Sequence, residues 1–319
     1  MTKEEILRIL RTAGDYVSGE TLAETLGVSR AAVWKHIHTL IKEGYGIDIE
    51  QGRGYRLLVV PDKLYPSEVR YGLQAKMLGN KVVHLNTTGS TNTVARQLAE
   101  RGVEEGAVVI AENQTRGKGR LGRKWLTRSG GVWMSIVLKP NIDPMHASSI
   151  TLLAAVSVTK ALRGAGLEAV IKWPNDVLVN GKKICGILTE MSAETDAVNF
   201  IILGIGVNVN NEMPLETATT MRSELGRKVD RVKFVQSLLE ILEEDYLTFK
   251  NEGFTPILWS WRRYSDTLGR QVEVIYQDEV ISGVAQDVDD DGSLLVKTED
   301  GSMRKIVSGD CKHLKSSGR

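Results

Sequence analysis

The sequence predicts an α+β chain with three regions: an N-terminal winged helix–turn–helix, a central mixed domain with a largely antiparallel sheet, and a small C-terminal β-barrel. Three observations predict it. Helical patterns in the first 60 residues end in a Gly-rich hairpin, helix and strand patterns mix from Ser67 to about Ser265, and short strand signals fill the rest. The predicted domains are residues 1–62, 66–265 and 266–319.

Composition limits the function classes. A chain of 319 residues is long enough for two or three domains. The net charge of +1 gives no overall basic field, so any nucleic-acid binding must come from local placement of charge. The two cysteines, Cys185 and Cys311, argue against a disulfide framework and fit a reducing cytoplasm. The N-terminus lacks the apolar core of a signal peptide, and no apolar run predicts a membrane span.

The segment from Thr21 to Leu40 carries a helix–turn–helix pattern. Gly27 supplies the turn, and Ser29 is a good N-cap for the second helix. Apolar spacing predicts which side chains face inward. They are Leu22, Ala23 and Leu26 on the first helix, and Val33, Ile37, Leu40 and Ile41 on the second.

The outward side of the second helix predicts DNA binding, because a recognition helix presents its first turns to base edges in the major groove. The strands around Gln51–Gly54 would form a wing whose Arg53 reaches a phosphate or the minor groove. Residues 1–60 hold eight basic and eight acidic residues, so a helical domain that binds protein stays an alternative. The candidate DNA contacts are Ser29, Arg30, Ala31, Trp34, Lys35 and Arg53.

The central region combines two core helices with hairpin strands. The helices are predicted at His146–Leu162 and along an apolar stripe from Val235 to Phe249. Asn180-Gly181 predicts a two-residue turn, and hairpins imply antiparallel pairing. Strands are predicted at Ala169–Trp173, Val177–Val179, Ile184–Met191 and Phe200–Val209. In the C-terminal region they are predicted at Val272–Tyr276, Val280–Val288, Ser293–Lys297 and Met303–Val307, and about five such short strands close naturally as a small barrel.

A basic, Gly-rich segment predicts an anion-binding loop. Six basic residues and no acidic one lie from Arg116 to Arg128. Backbone N–H groups and guanidinium forks of such a loop can wrap phosphates. A mobile surface loop is the alternative, but six like charges would repel one another without an anionic partner.

Two nucleotide motifs are excluded by context. Gly117, Gly119 and Gly122 have the spacing of a dinucleotide fingerprint, but no helix follows for a pyrophosphate to cap. The segment is not a Walker A loop either, because Lys118 is not followed by Ser or Thr and Glu112 occupies the first glycine position.

Four further segments carry chemistry. Ser90-Thr91-Asn92 lies between a strand and a helix, where capping is the structural alternative. Lys172-Trp173-Pro174-Asn175-Asp176 places a cation, an amide and a carboxylate at a strand end, and the Asn180-Gly181 turn returns Lys183 to the same place. Gly204–Asn210 is a small-residue strand that ends in amides, and glycines within a strand often mark close approach of a ligand.

Together these segments resemble the biotin–protein ligase family, in order and over nearly the whole chain. With the helix–turn–helix, the chain resembles the bifunctional BirA-type form, a ligase that is also the biotin operon repressor. Two positions depart from the family pattern. Lys118 stands where Arg is more frequent, which keeps the charge and loses the bidentate fork, and Cys185 stands where a small apolar residue is usual. The resemblance implies a ligase fold for the central domain and an SH3-like barrel at the C-terminus.

The resemblance also implies a two-step reaction. The carboxylate of biotin attacks the α-phosphorus of ATP, giving biotinyl-5′-adenylate and pyrophosphate. A lysine of the biotin carboxyl carrier protein of acetyl-CoA carboxylase then attacks the adenylate and releases AMP. Lys118, Arg120 and Lys183 would neutralise the anionic reactants with Mg²⁺ assisting, and Asp176 would orient or deprotonate the incoming ammonium.

The implied site residues follow from the same resemblance. Ser90, Thr91, Asn92 and Gln114 would bind the ureido ring of biotin, and Asn208 would help place metal or phosphate. The catalytic candidates are Lys183, Arg120 and Asp176. The binding candidates are Ser90, Thr91, Asn92, Gln114, Gly117, Lys118, Gly119, Arg120, Trp125, Lys183, Gly204 and Asn208. No protein side chain is singled out as a metal ligand.

The family pattern further implies a homodimer that forms when the adenylate binds and then binds a two-fold operator DNA. Two alternatives stay open. A ligand-sensing repressor without catalysis is disfavoured by Lys183 and Asp176 beside the basic loop. A lipoate–protein ligase is disfavoured by the helix–turn–helix, the Gly-Lys-Gly-Arg loop and the C-terminal barrel.

Overall fold

The computed structural model describes residues 2–194, 197–276 and 279–314. The chain forms two compact units, Met1–Lys63 and Leu64–Arg319. The first unit contains three helices and a two-stranded antiparallel sheet. Its elements are α1 (Thr2–Ala13), α2 (Gly19–Leu26), α3 (Arg30–Lys42), β1 (Gly46–Glu50) and β2 (Gly54–Val59).

Local capping explains why α2 and α3 form a helix–turn–helix. Gly27 ends α2 in the left-handed conformation, at φ 63°, and Ser29 Oγ accepts a hydrogen bond from the Ala32 N–H at 3.2 Å at the start of α3. The predicted motif is therefore confirmed. The expectation that Ile41 faces inward is wrong, because its side chain is 36% exposed. Adjacent helix positions point about 100° apart, and Leu40 takes the inward direction.

The second unit is organised around a seven-stranded sheet. Its order is β3-β4-β5-β9-β8-β7-β6, and among the described strands only β3 and β4 pair in parallel. Asn180 and Gly181 have φ of 51° and 74°, which fits the predicted turn between β7 and β8. The strands are β3 (Val82–Thr88), β4 (Val108–Gln114), β5 (Val132–Leu138), β6 (Ala169–Lys172), β7 (Asp176–Val179), β8 (Lys182–Ala193) and β9 (Val198–Val207).

Helices cover both faces of this sheet. The helices are α4 (Pro66–Arg70), α5 (Thr91–Glu100), α6 (Ala147–Gly164), α7 (Met221–Leu225), α8 (Arg231–Glu252) and α9 (Thr255–Tyr264). Residues of α6 and α8 form the main core with one face of the sheet, represented by Ile110 and Ile136. Their neighbours Val109 and Val137 point to the opposite face and pack with Ala95 of α5.

One helical stretch, Pro144–Gly164, is long and apolar enough to cross a membrane by length and composition alone. However, 67% of its most apolar window is buried inside the fold, so it serves as a core helix.

A five-stranded antiparallel sheet completes the second unit. Its strands are β10 (Gln271–Tyr276), β11 (Glu279–Val288), β12 (Leu294–Lys297), β13 (Met303–Ile306) and β14 (Asp310–His313), in the order β13-β12-β11-β10-β14. Four of the five strands match sequence predictions. The fifth, β14, was not predicted at its position, and it pairs with β10 so that Cys311 lies opposite Val274.

Ile37 and Ile41 of α3 should differ in how much each contributes to stability. Ile37→Ala should lower the free energy of unfolding of the first unit by about 2–5 kcal/mol, because Ile37 is fully buried and the change leaves a cavity. Ile41→Ala is the matched control and should cost less than about 1 kcal/mol. Chemical denaturation of both variants, followed by circular dichroism, measures the difference. Equal losses would contradict the assignment of the inward face.

Candidate active site

A cavity of about 460 Å³ lies in the second unit. Its walls come from the loop after β4, the turn between β6 and β7, strands β8 and β9, and residues 309–311. Every predicted catalytic or binding residue except Gly117 lines it. Gly117 serves the loop itself, because its C=O accepts from the Trp125 N–H at 2.9 Å and a Cβ there would lie 2.5 Å from the Trp125 carbonyl oxygen.

Glycines form the floor of the cavity. Gly186 of β8 pairs directly with Gly206 of β9, and Gly204 lies two residues earlier on the same face. The indole of Trp125 lies over the first pair, because a Cβ on Gly206 would come within 2.6 Å of Trp125 Nε1. A Cβ on Gly204 would lie 2.3 Å from Asn92 Oδ1. The glycine-rich strand therefore provides room for a tryptophan and an asparagine.

One end of the cavity is lined by neutral polar side chains, with the Glu190–Arg96 ion pair behind them at 3.1 Å. Ser135 Oγ lies 2.7 Å from Thr91 Oγ1 and 2.6 Å from Asn92 Oδ1. Asn92 Nδ2 donates to Glu190 Oε1 at 3.0 Å. The sequence does not predict Ser135 and Glu190 as site residues, because each lies in an ordinary strand pattern and reaches the site only through strand pairing. Their contacts fix the orientation of Thr91 and Asn92.

Helix capping does not account for Ser90. Its side chain makes no cap hydrogen bond, although its position is the N-cap of α5. Gln114 instead serves the helix start, since its Oε1 accepts from the Thr91 N–H at 2.7 Å. Ser90 is 5% exposed and lines the cavity. Its hydroxyl is therefore placed for a ligand.

The other end of the cavity is charged. Lys183 Nζ lies 2.6 Å from Asp176 Oδ1 and 5.0 Å from the centre of the Trp125 ring. The hairpin between β7 and β8 produces this pairing, as the sequence predicted, with a register irregularity between Val177 and Leu178. Lys118 is exposed on the loop above. A cation and a carboxylate thus meet beside an aromatic wall.

Arg120 connects the loop to the C-terminal sheet. Its Nη1 donates to Gly309 O at 3.2 Å and to Asn175 Oδ1 at 3.4 Å. Burial lowers the pKa of Arg120, and the charges of Asp176 and Asp310 oppose that shift. Arg123 Nη2 also lies 2.8 Å from Asp310 Oδ2. Sequence analysis missed Asp310, since nothing in a short strand signal indicates that it meets a loop far away in the chain.

Two buried donors of cavity-lining residues have no hydrogen-bond partner among the described residues. They are Asn208 Nδ2 and Trp125 Nε1. Asn208 is 1% exposed, and its Oδ1 accepts from Asn211 Nδ2 at 3.3 Å. An unpaired buried donor is costly, so Asn208 Nδ2 would gain from a ligand that brings an acceptor, whereas Trp125 Nε1 packs against Gly206.

The donor set does not form a metal cage. Within the part of the chain that the structure describes, no three His, Cys, Asp or Glu residues cluster as metal ligands. The cavity carboxylates Asp176 and Asp310 are both paired with cations. A hard cation would therefore depend on oxygen atoms supplied by a ligand.

The candidate DNA contacts lie in the first unit. Ser29, Arg30, Ala31 and Lys35 are exposed, and Trp34 is 56% exposed with its ring 4.0 Å from that of His38. Arg53 is less available than the sequence suggested. It donates to Glu50 Oε2 at 2.9 Å, lies 3.4 Å from Asp15 Oδ1, and covers the Tyr16 ring.

Comparison with known families gives three matches along the chain. Residues 85–208 match the biotin/lipoate A/B protein ligase family. Residues 2–56 match a helix–turn–helix domain, and residues 267–314 match the biotin protein ligase C-terminal domain.

Individual relatives agree with these matches. The chain is 40% identical over 317 residues to the bifunctional ligase/repressor BirA of Bacillus subtilis (strain 168), covering 97% of each protein. It is 31% identical over 304 residues to the protein of the same name from Escherichia coli (strain K12), covering 93% of this chain and 92% of that one. A solved biotin protein ligase from Aquifex aeolicus, in complex with biotin and ATP, aligns with a TM-score of 0.64 and 31% identity, covering 74% of this chain and all of that one.

The long alignments cover the DNA-binding unit, the cavity and the C-terminal sheet together. The chain therefore belongs to the biotin–protein ligase family, in the branch of bifunctional ligase/repressor proteins.

Proposed function

We propose that this chain activates biotin with ATP, transfers it to a lysine of a carrier protein, and represses transcription through its helix–turn–helix. The observation that carries the enzymatic part is the division of one cavity into a neutral hydrogen-bonding end and a cationic end. The neutral end, at Ser90, Thr91 and Asn92, suits the ureido ring of biotin. The cationic end, at Arg120 and Lys183, suits the phosphates.

The neutral end works by preorganisation. Ser135, Gln114 and Glu190 already hold Thr91 and Asn92 by hydrogen bonds. A rigid ring that enters meets donors and acceptors that are already fixed. The protein side chains therefore lose little further conformational entropy on binding. Each buried polar group of the ring left unpaired would cost about 1–3 kcal/mol, which favours a ligand with matching groups.

The cationic end brings two anions together. The carboxylate of biotin and the α-phosphate of ATP repel each other until cations neutralise them. Lys118, Arg120 and Lys183 supply that charge, and Gly117 and Gly119 allow the loop backbone to close around the ligand. Trp125 forms the wall over Gly186 and Gly206, and Asn208 offers its unpaired donor to the nucleotide.

The ion pair between Lys183 and Asp176 gives the two steps an order. While Asp176 lies beside Lys183, the ammonium offsets the charge of its carboxylate. When a phosphate draws Lys183 away, Asp176 becomes available to orient the ammonium of the acceptor lysine and take its proton. Binding of the negatively charged nucleotide would therefore free Asp176 to act as the base in the transfer step.

Magnesium is part of this proposal. Mg²⁺ binds through one or two carboxylates and substrate phosphates rather than through an all-protein cage. The cavity carboxylates Asp176 and Asp310 are paired with cations, so the ion would be held mainly by phosphate oxygens of the nucleotide. When bound with ATP, the ion would supply further neutralisation of the phosphates.

The regulatory part rests on the first unit. Ser29, Arg30, Ala31, Trp34, Lys35 and Arg53 are the proposed contacts to operator DNA. We also propose a homodimer formed when the adenylate binds, the biotin carboxyl carrier protein of acetyl-CoA carboxylase as acceptor, and action in the cytoplasm. The proposed domain limits are 1–62, 66–265 and 266–319.

Incubation with biotin, Mg-ATP and a carrier lysine domain, followed by mass measurement, tests the enzymatic function. A mass increase of one biotinyl group with release of pyrophosphate is expected. Binding of biotin without pyrophosphate release would instead support a ligand-sensing repressor. Preferential transfer when lipoate replaces biotin would support a lipoate ligase.

Arg120→Gly should increase the dissociation rate of the adenylate about 10- to 100-fold, because charge-assisted hydrogen bonds contribute about 1.5–3 kcal/mol each. Arg116→Gly is the matched control, since Arg116 is exposed on the same loop and does not line the cavity. Release of labelled adenylate from each protein measures the effect. A rate for Arg120→Gly equal to that of the unmodified protein would contradict the role of Arg120.

Asp176→Asn should slow transfer to the acceptor lysine about 10²- to 10⁴-fold, the usual contribution of a general base. Adenylate formation should fall much less, because the cations that neutralise the phosphates remain. Single-turnover measurement of each step separates the two effects. Equal losses in both steps would place Asp176 in binding rather than in transfer.

Arg30→Ala should weaken binding to a genomic fragment selected by the adenylate-loaded protein by about 1–3 kcal/mol. Arg8→Ala, an exposed change on α1, is the control and should have little effect. Fluorescence anisotropy at several salt concentrations measures both. If ligase activity were lost with DNA binding, the reduced affinity would reflect unfolding and not a lost contact.

A further inference from the structure

A buried ion pair lies outside the cavity and is not part of the proposed reaction. Glu112, near the end of β4, accepts from Arg231, the first residue of α8, with Oε2 at 3.0 Å from Nη1. Both side chains are 2% exposed. A buried pair of this kind is weak evidence for stability, since desolvation offsets much of the attraction. The geometry of the pair instead indicates a role in positioning the basic loop.

The pair joins the two ends of the basic loop. Glu112 lies two residues before Gln114, where the loop begins. Arg231 Nη1 also donates to Gly131 O at 2.9 Å, directly before β5, where the loop ends. Only glycine fits at position 131 without a shift of its neighbours, because a Cβ there would lie 2.1 Å from the Trp133 ring.

Two further contacts extend the effect into the cavity. Trp133 Nε1 donates to Arg128 O at 3.1 Å, so the last part of the loop is held against the same strand. The Trp133 ring meets the Trp125 ring edge-on, with centroids 6.4 Å apart. A shift at Gly131 would therefore move the wall that covers the glycine floor.

The same carboxylate also anchors the start of the second unit. Glu112 Oε1 accepts from the Leu64 N–H at 3.1 Å and lies 3.2 Å from His84 Nε2. Leu64 is fully buried and is the first residue of this unit. Burial opposes ionisation of Glu112, but the hydrogen bonds and the charge of Arg231 outweigh it and lower its pKa to about 2. The group is therefore a carboxylate at neutral pH.

We propose that Glu112 and Arg231 are positioning residues of the ligase: one ion pair sets the separation of the two ends of the basic loop and fixes the point where the chain leaves the ligase unit. The proposal rests on the proposed function, because retention of the adenylate is its readout. Neither residue touches the ligand. They act through Gln114 on one side and Gly131 on the other.

The test compares two variants of the full-length chain with a matched control. Glu112→Gln removes the charge at constant volume. Arg231→Lys keeps the charge but replaces the guanidinium, whose Nη1 donates to both Glu112 and Gly131, with an ammonium on a shorter side chain. Asp245→Asn is the control, because Asp245 is also buried on α8 and pairs with Lys160 at 2.5 Å, but belongs to no contact of the loop.

Adenylate dissociation and thermal stability are measured for all four proteins. We expect Glu112→Gln to raise the dissociation rate at least tenfold, Arg231→Lys to raise it less, and Asp245→Asn to leave it within twofold at a similar loss of stability. If Glu112→Gln does not fold, Arg231→Lys against Asp245→Asn decides the question. Equal dissociation rates in the variants and the control would overturn the proposal.

A second readout does not depend on the reaction. Trypsin cleaves after Lys63, and the Leu64 amide of that bond is held by Glu112. Cleavage at this bond in the ligand-free protein, followed by mass spectrometry, should be at least tenfold faster in Glu112→Gln than in Asp245→Asn. An unchanged cleavage rate would overturn the claim that Glu112 fixes the start of the second unit at Leu64. Absence of adenylate formation in the unmodified protein would instead overturn the proposed function, and with it this role of the ion pair.

Discussion

Three glycines on one face of the central sheet determine where the rest of the cavity lies. Gly186 and Gly206 are direct partners across β8 and β9, and Gly204 extends the same bare surface. Trp125 and Asn92 occupy the space that three Cβ atoms would fill. Because the loop packs onto a surface without side chains, the position of its cationic groups depends on the glycines of these two strands.

The electrostatics of the loop follow from this placement. Six like charges in a short segment would repel one another, and acidic residues from distant parts of the chain balance two of them. Arg123 meets Asp310, Arg128 meets Glu212 at 3.0 Å, and Lys183 in the facing hairpin meets Asp176. Partly exposed pairs of this kind contribute little stability. They leave the cations ready to exchange a carboxylate partner for a phosphate at small cost.

The success of sequence analysis depended on the range of the interaction. Local signals worked: the Ser29 cap, the Asn180-Gly181 turn and the alternation of the strands lie within a few residues of what they determine. The cavity residues were found because the family pattern supplied their association. Contacts between segments far apart were missed, as with Ser135, Asp310 and the Glu112–Arg231 pair, since their neighbours are set by strand pairing and helix packing. Periodicity also misplaced Ile41, because adjacent apolar positions compete for one inward direction.

Both cysteines of the chain are buried as free thiols, and burial disfavours their thiolate forms. Burial raises the pKa of Cys185 in β8 well above its usual range, and burial also raises the pKa of Cys311 in β14 to about 12. Thiolates, and not thiols, react with disulfide and alkylating reagents. A cysteine engineered onto an exposed site can therefore carry a fluorescent dye without competition from the native pair. Conversely, the rate at which a thiol reagent modifies Cys185 and Cys311 measures how often the strands beside the cavity open.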